Sequence, residues 1–172
     1  MHTRNTRFYG ILIALAALVL ASVACSFSAV DIDRDGATVT ISLKENELNE
    51  MLAKSNDDIE DEDVILKEIT SVDMNEGFLR LYGTYDKADG RSAEGSYDVK
   101  FDTRDGELFA EIIDVDIEGV EMGDQRIQHL NEEMSDALAK SARESKGEVE
   151  YESVSVTNEK FTMVVKTHWE NK

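Results

Sequence analysis

Along most of this chain the apolar residues recur with a period that can be read directly. Val39, Ile41 and Leu43 alternate with Thr38, Thr40 and Ser42, the period of two expected of a half-buried strand. With residues 29–33 and the Arg34-Asp35-Gly36 turn, this stretch predicts a β-hairpin. The period then changes. Leu48, Met51, Leu52 and Ser55 share one helical stripe. Glu45 and Glu47 lie in its first turn, where carboxylates favour the helix dipole. A helix is expected over residues 44–55, opened by Ser42 or Lys44 and closed by Asn56.

Strands dominate the middle of the chain. Residues 64–74 read as a strand whose imperfect alternation implies a bulge. Asn75-Glu76-Gly77 is a turn, and residues 78–85 form the next strand. Ala93, Gly95, Tyr97, Val99 and Phe101 then alternate with Ser92, Glu94, Ser96, Asp98 and Lys100. The first set is expected to point inward and the second toward solvent. Arg104-Asp105-Gly106 turns the chain into a strand over 107–117. A longer helix is predicted over 123–145, on a stripe of Ile127, Leu130, Met134, Ala137, Leu138 and Ser141. Asp124 supplies an N-cap and Gly147 a stop. Strands over 149–156 and 161–169, joined by residues 157–160, complete the pattern.

Short hairpin connections predict an antiparallel sheet, and helices laid on one face of it give an α+β fold. The expected architecture is a curved antiparallel β-sheet packed against a long helix and a shorter one. The chain contains no Pro, so no Pro-rich linker divides it. Residues 37–172 are therefore read as a single α+β domain, preceded by a short segment over 25–36 that holds the first hairpin strand. Leu-Asn-Glu occurs at 48–50 and again at 130–132, once on each helix. Common helix formers make this weak as a sign of internal repetition.

The amino end follows a different logic. Residues 1–7 are basic, residues 8–20 form an apolar run, and Ala21, Ser22, Val23 and Ala24 are small. This is the layout of a secretory signal over residues 1–24. Leu20-Ala21-Ser22-Val23-Ala24-Cys25 resembles a bacterial lipobox. The resemblance implies that Cys25 becomes the first mature residue and carries acyl chains such as palmitate. Ser22 stands where Leu is usual. Ser22-x-Ala24 also reads as an ordinary signal-peptidase site, and an uncleaved anchor is a third possibility, because the apolar run approaches the length that spans a bilayer. Cys25 is the only Cys in the chain, and a free thiol on an exported protein is a liability unless it is used. The expected location is extracytoplasmic, anchored in the bacterial cell envelope by lipid.

Charge narrows the partners. Arg4 and Arg7 are the only charged residues in 1–24, so the remainder holds 37 acids against 16 basic residues, a net charge near −21. Nucleic-acid binding needs clustered Lys and Arg, and no basic stripe is present. The run at 57–63 has six acids in seven residues and reads as a solvated loop.

Residues 41–52, Ile-Ser-Leu-Lys-Glu-Asn-Glu-Leu-Asn-Glu-Met-Leu, resemble the opening of a class of small bacterial lipoproteins in which a strand runs into a helix with an acid-x-x-Leu-Asn pattern. The order of elements over about 37–169 follows the same class, which is similar to the tubular lipid-binding superfamily. That resemblance implies a curved sheet wrapped around a long helix, with an acyl chain or other amphiphile in the cleft, and no catalytic residues. By the same analogy Leu48, Met51, Leu52, Ile127, Leu130, Met134 and Leu138 would line the cleft. Plain core packing is the competing reading of the same stripes. It leads to a structural or protein-interaction lipoprotein with a closed interior and a protein partner the sequence does not name.

No constellation carries chemistry, so the chain is read as a non-enzyme with neither cofactor nor metal. Asp31-x-Asp33-x-Asp35-Gly36 matches half of a calcium loop, yet Ser42 stands where the closing Glu is needed. His129 and His168 lack a Cys or second His at metal spacing. No G-x-S-x-G elbow or Gly-rich phosphate loop occurs.

Overall fold

The computed structural model describes residues 27–32, 36–55, 66, 68–87, 90–144 and 149–168. Eight strands and two helices are seen there: β1 (Phe27–Ile32), β2 (Gly36–Leu43), α1 (Glu45–Ser55), β3 (Glu68–Asn75), β4 (Phe78–Asp86), β5 (Ser92–Arg104), β6 (Glu107–Asp116), α2 (Gln125–Glu144), β7 (Val149–Val156) and β8 (Phe161–His168). The order follows the expected one, and the fold is α+β. Lys44 opens α1. Its N–H donates to the Glu47 carboxylate at 2.7 Å, the acidic half of a capping box, and its carbonyl accepts from Leu48 N–H as the first bond of the helix. Asp124 caps α2 by accepting from the Arg126 N–H at 2.9 Å.

The strands do not continue in one sheet. They divide into two antiparallel four-stranded sheets, sheet A in the order β1-β2-β8-β7 and sheet B in the order β3-β4-β5-β6. Sheet B is a meander of neighbours. Sheet A joins the N-terminal hairpin to the C-terminal one, with Leu43 opposite Phe161 and Gly36 opposite His168. The division has a local cause. The outer edge of β3 is occupied by α1: Asn49 donates to the Val72 carbonyl and accepts from the Val72 N–H, both at 2.8 Å, and Glu45 accepts from Met74 N–H at 2.9 Å. β2 therefore finds its second partner in β8. On the other edge of sheet B, Asn131 of α2 accepts from the Ile112 N–H at 2.8 Å.

One hydrophobic cluster draws on both sheets and both helices, with Leu43, Leu66, Leu81, Ile112, Ile127 and Met163 at its most enclosed points. Phe101 of β5 meets Phe161 of β8 edge-to-face, with ring centres 5.5 Å apart. Further links join β7 to sheet B: Tyr151 N–H donates to the Gly106 carbonyl, and Gly77 N–H donates to the Val156 carbonyl.

Three local expectations are revised. The turn at Arg34-Asp35-Gly36 falls partly on residues 33–35, outside the described ones, and Gly36 itself is the first residue of β2. A Cβ there would lie 1.8 Å from the Thr167 carbonyl oxygen, so close strand approach explains the glycine. Ser96 and Asp98, expected toward solvent, are buried, Asp98 because Arg80 of the adjacent strand grips it with two bonds of 2.7 Å. Strand β3 begins at Glu68, later than the alternation implied, and its bulge falls at Thr70. By contrast, Asp105 and Gly106 both have positive φ, as a two-residue hairpin turn between β5 and β6 requires.

Candidate binding surfaces

Cys25 and the signal-like segment lie outside the described residues, as does the acidic run at 57–63. The stripe residues can be placed. Leu48 and Leu52 of α1 and Ile127 and Met134 of α2 are buried in the shared core. Met51, Leu130 and Leu138 are half-buried and pack against it. The acid-x-x-Leu-Asn pattern acquires a physical role: Leu48 enters the core while Glu45 and Asn49, one turn apart on the adjoining face, hold the edge of β3. The second Leu-Asn-Glu does a similar job, with Asn131 on the β6 backbone and Leu130 against the core.

An open groove of about 590 Å³ runs between α2 and the β5–β6 hairpin. Arg104, Phe109, Ala110, Glu111, Asn131, Glu132, Ser135 and Asp136 line it. None of the seven stripe residues does, and only Phe109 and Ala110 are apolar. The Arg104 guanidinium sits 5.4 Å from the centre of the Phe109 ring and also reaches Asp102. Six of the eight lining residues are thus polar or charged, whereas the family resemblance implies a cleft lined by the apolar stripes.

A different apolar surface belongs to sheet A. Register places Val30, Val39, Val165 and Tyr151 in one cross-strand row, and Ile32, Ala37, Thr167 and Val149 in the next. These rows lie on the face that carries Ile41, Leu43, Phe161 and Met163 into the core, because all share the alternation of the pleat. Cover thins toward the β1 corner. Tyr151 is buried, Val39, Val165 and Val149 are half-buried, and Val30 and Ile32 are 51% and 69% exposed. Period-two alternation in residues 38–43 marks this face in the sequence, and residues 29–33 read only as the other strand of the hairpin. The alternation does not reveal that the far end lacks a cover among the described residues, which depends on where the other sheet stops.

The titratable groups have ordinary pairings. His129 lies 3.3 Å from Glu133 one turn on, and His168 lies 3.2 Å from Glu150 across the β7–β8 ladder. Three bonds from Arg126, two from its guanidinium and one from its backbone N–H, hold the Asp124 carboxyl down at about 2. Burial pushes the Tyr97 phenol up to about 12, so it stays protonated at neutral pH. Among the described residues no group of three His, Cys, Asp or Glu side chains is placed to hold a metal ion. No described helix is long and apolar enough to cross a membrane. Comparison with protein-family models, with curated proteins and with solved structures finds no match to this chain.

Proposed function

We propose that this chain is a lipid-anchored, non-catalytic module of the bacterial cell envelope that holds a lipid or similar amphiphile against the open end of the sheet A inner face. The observation that carries this reading is the pair of apolar rows ending at Val30 and Ile32, which extend the core outward without a described cover. Fully burying a Val or Ile side chain contributes roughly 1.5–3 kcal/mol. These two are 51% and 69% exposed, so covering what remains favours an acyl chain by about 3 kcal/mol before association costs. The lipobox resemblance at residues 20–25 supports the tether, since two or more acyl chains anchor stably where one does not. The curved sheet around a long helix remains part of this proposal, with the β1 corner as the mouth of the cleft.

Native mass spectrometry of detergent-free protein tests the ligand. Wild type should carry lipid-sized adducts, and Val30→Glu with Ile32→Glu should lose them. A bare wild type that also fails to displace a fluorescent fatty acid would remove the amphiphile. Cys25→Ala should release the protein from membranes. Retention would show that acylation is not the anchor. Burial of Leu48, Leu52, Ile127 and Met134 favours a second reading, a closed-core interaction lipoprotein, which predicts membrane attachment without any bound lipid.

A further inference from the structure

Two sheets have four edge strands, and an edge strand presents backbone N–H and C=O groups that seek partners. Here the edges are β1 and β7 in sheet A, and β3 and β6 in sheet B. Each carries a single extra residue that interrupts its register: Ser28 in β1, Glu152 in β7, Thr70 in β3 and Ile113 in β6. Bulges of this kind discourage unwanted pairing. Three of the edges are also covered. Asn49 and Glu45 take β3, Asn131 takes β6, and the outer side of β7 meets sheet B through Tyr151 to Gly106, Val156 to Gly77 and Glu152 to the Thr103 hydroxyl. No described residue outside β2 takes the backbone of β1.

We propose that the free edge of β1, over residues 29–32, receives an extended segment of a partner protein, one in which apolar and basic residues alternate. Strand addition supplies the affinity through main-chain bonds and the specificity through alternate side chains. A strand added beside β1 extends each cross-strand row by one residue. Its apolar side chains would adjoin Val30 and Ile32, both more than half exposed. Its intervening side chains would adjoin Asp31, whose own row continues through Thr38, Lys166 and Glu150. Charge selects the occupant. The chain carries a net charge of −19, which repels a second copy and draws in a cationic segment. The proposal rests on the edge, not on the amphiphile reading, and either stands if the other falls.

The purified full chain is titrated with the synthetic heptapeptide Lys-Val-Lys-Val-Lys-Val-Lys, with its Glu-for-Lys counterpart, and with the Lys peptide N-methylated at every residue. The Lys peptide should bind saturably and slow amide exchange within residues 29–32. The Glu peptide and the N-methylated peptide should each bind at least tenfold more weakly. Equal binding of the N-methylated peptide would mean that charge and apolar contact suffice, and it would overturn strand addition. So would protection that falls elsewhere, or the absence of saturable binding. A dimer of the free protein with protected β1 amides would give the edge to a second copy and also overturn the proposal. Fatty-acid displacement, measured separately, reads the face rather than the edge.

Discussion

Asn49 faces Val72 with both ends of its side-chain amide, donating to the carbonyl and accepting from the N–H at 2.8 Å each. A side chain thus supplies what a neighbouring strand would. Val72 is itself buried, so its backbone groups have no ready access to water. Asn49→Ala should cost about 2 kcal/mol, because a buried donor and acceptor are left without partners. Asn131→Ala loses one such bond and should cost about 1 kcal/mol. Urea unfolding of both variants checks the ordering. Equal small losses would mean that water replaces the amides and the caps are decorative.

Arg80 and Asp98 form the other decisive polar contact. Both guanidinium bonds to the carboxylate are 2.7 Å, and Asp98 is only 5% exposed. Bidentate pairing holds the Arg80 guanidinium above its ordinary value. Breaking a fully buried pair costs about 3–5 kcal/mol, but the Arg80 side chain is 37% exposed, so about 2 kcal/mol is expected for Arg80→Ala. Arg80→Lys should recover only part of this, since one ammonium does not match the planar fork. Thermal melts at neutral pH compare the three proteins. No difference between Ala and Lys variants would argue that charge alone matters.

Stability should also report the Asp124 cap. Its folded value is about 2, against 3.8 for a free Asp, because Arg126 bonds the charged form through its guanidinium and its backbone N–H. A depressed carboxyl stabilises the fold above the unfolded value and ceases to do so as pH falls through the folded one. The melting-temperature gap between wild type and Asp124→Ala should therefore be full at pH 6 and shrink between about pH 4 and pH 2. A gap independent of pH would place the effect in helix propensity rather than in the charged cap.

Gly36→Ala tests the seam of sheet A. An added methyl group would meet the Thr167 carbonyl at 1.8 Å, against backbone rather than a movable side chain. The expected cost is about 3 kcal/mol, with faster amide exchange at the adjoining ends of β2 and β8. Unchanged exchange there would show that the strands separate without consequence.

Element order was legible because each strand and helix repeats its own period, as Val39-Ile41-Leu43 and Ile127-Leu130-Met134 do. The α+β class followed from the short hairpins. Pairing between sheets was not legible. It depends on Asn49, Glu45 and Asn131 reaching strands that are distant in sequence, and three polar residues on exposed-looking helix positions give no hint of that reach. Alternation also misplaced Ser96 and Asp98; at Asp98, period-two reading assigns a face without knowing that Arg80 will grip the carboxylate. The Leu-Asn-Glu recurrence was visible, and only geometry explained it. The seven stripe residues were recognisable as inward-facing, while the exposed corner at Val30 and Ile32 required knowing where sheet A outruns its neighbours.

The seam between β2 and β8 has a temporal consequence. Ser42 and Thr162 lie side by side although 120 positions separate them, whereas sheet B closes through successive hairpins between Glu68 and Asp116. Distant closure carries the larger entropic cost and comes late. A nascent chain can thus zip sheet B as it lengthens, yet Ile41 and Leu43 stay bare until the final strand is made. Any polypeptide cut short before Phe161 leaves that surface uncovered and sticky, so the fold itself distinguishes finished molecules from fragments.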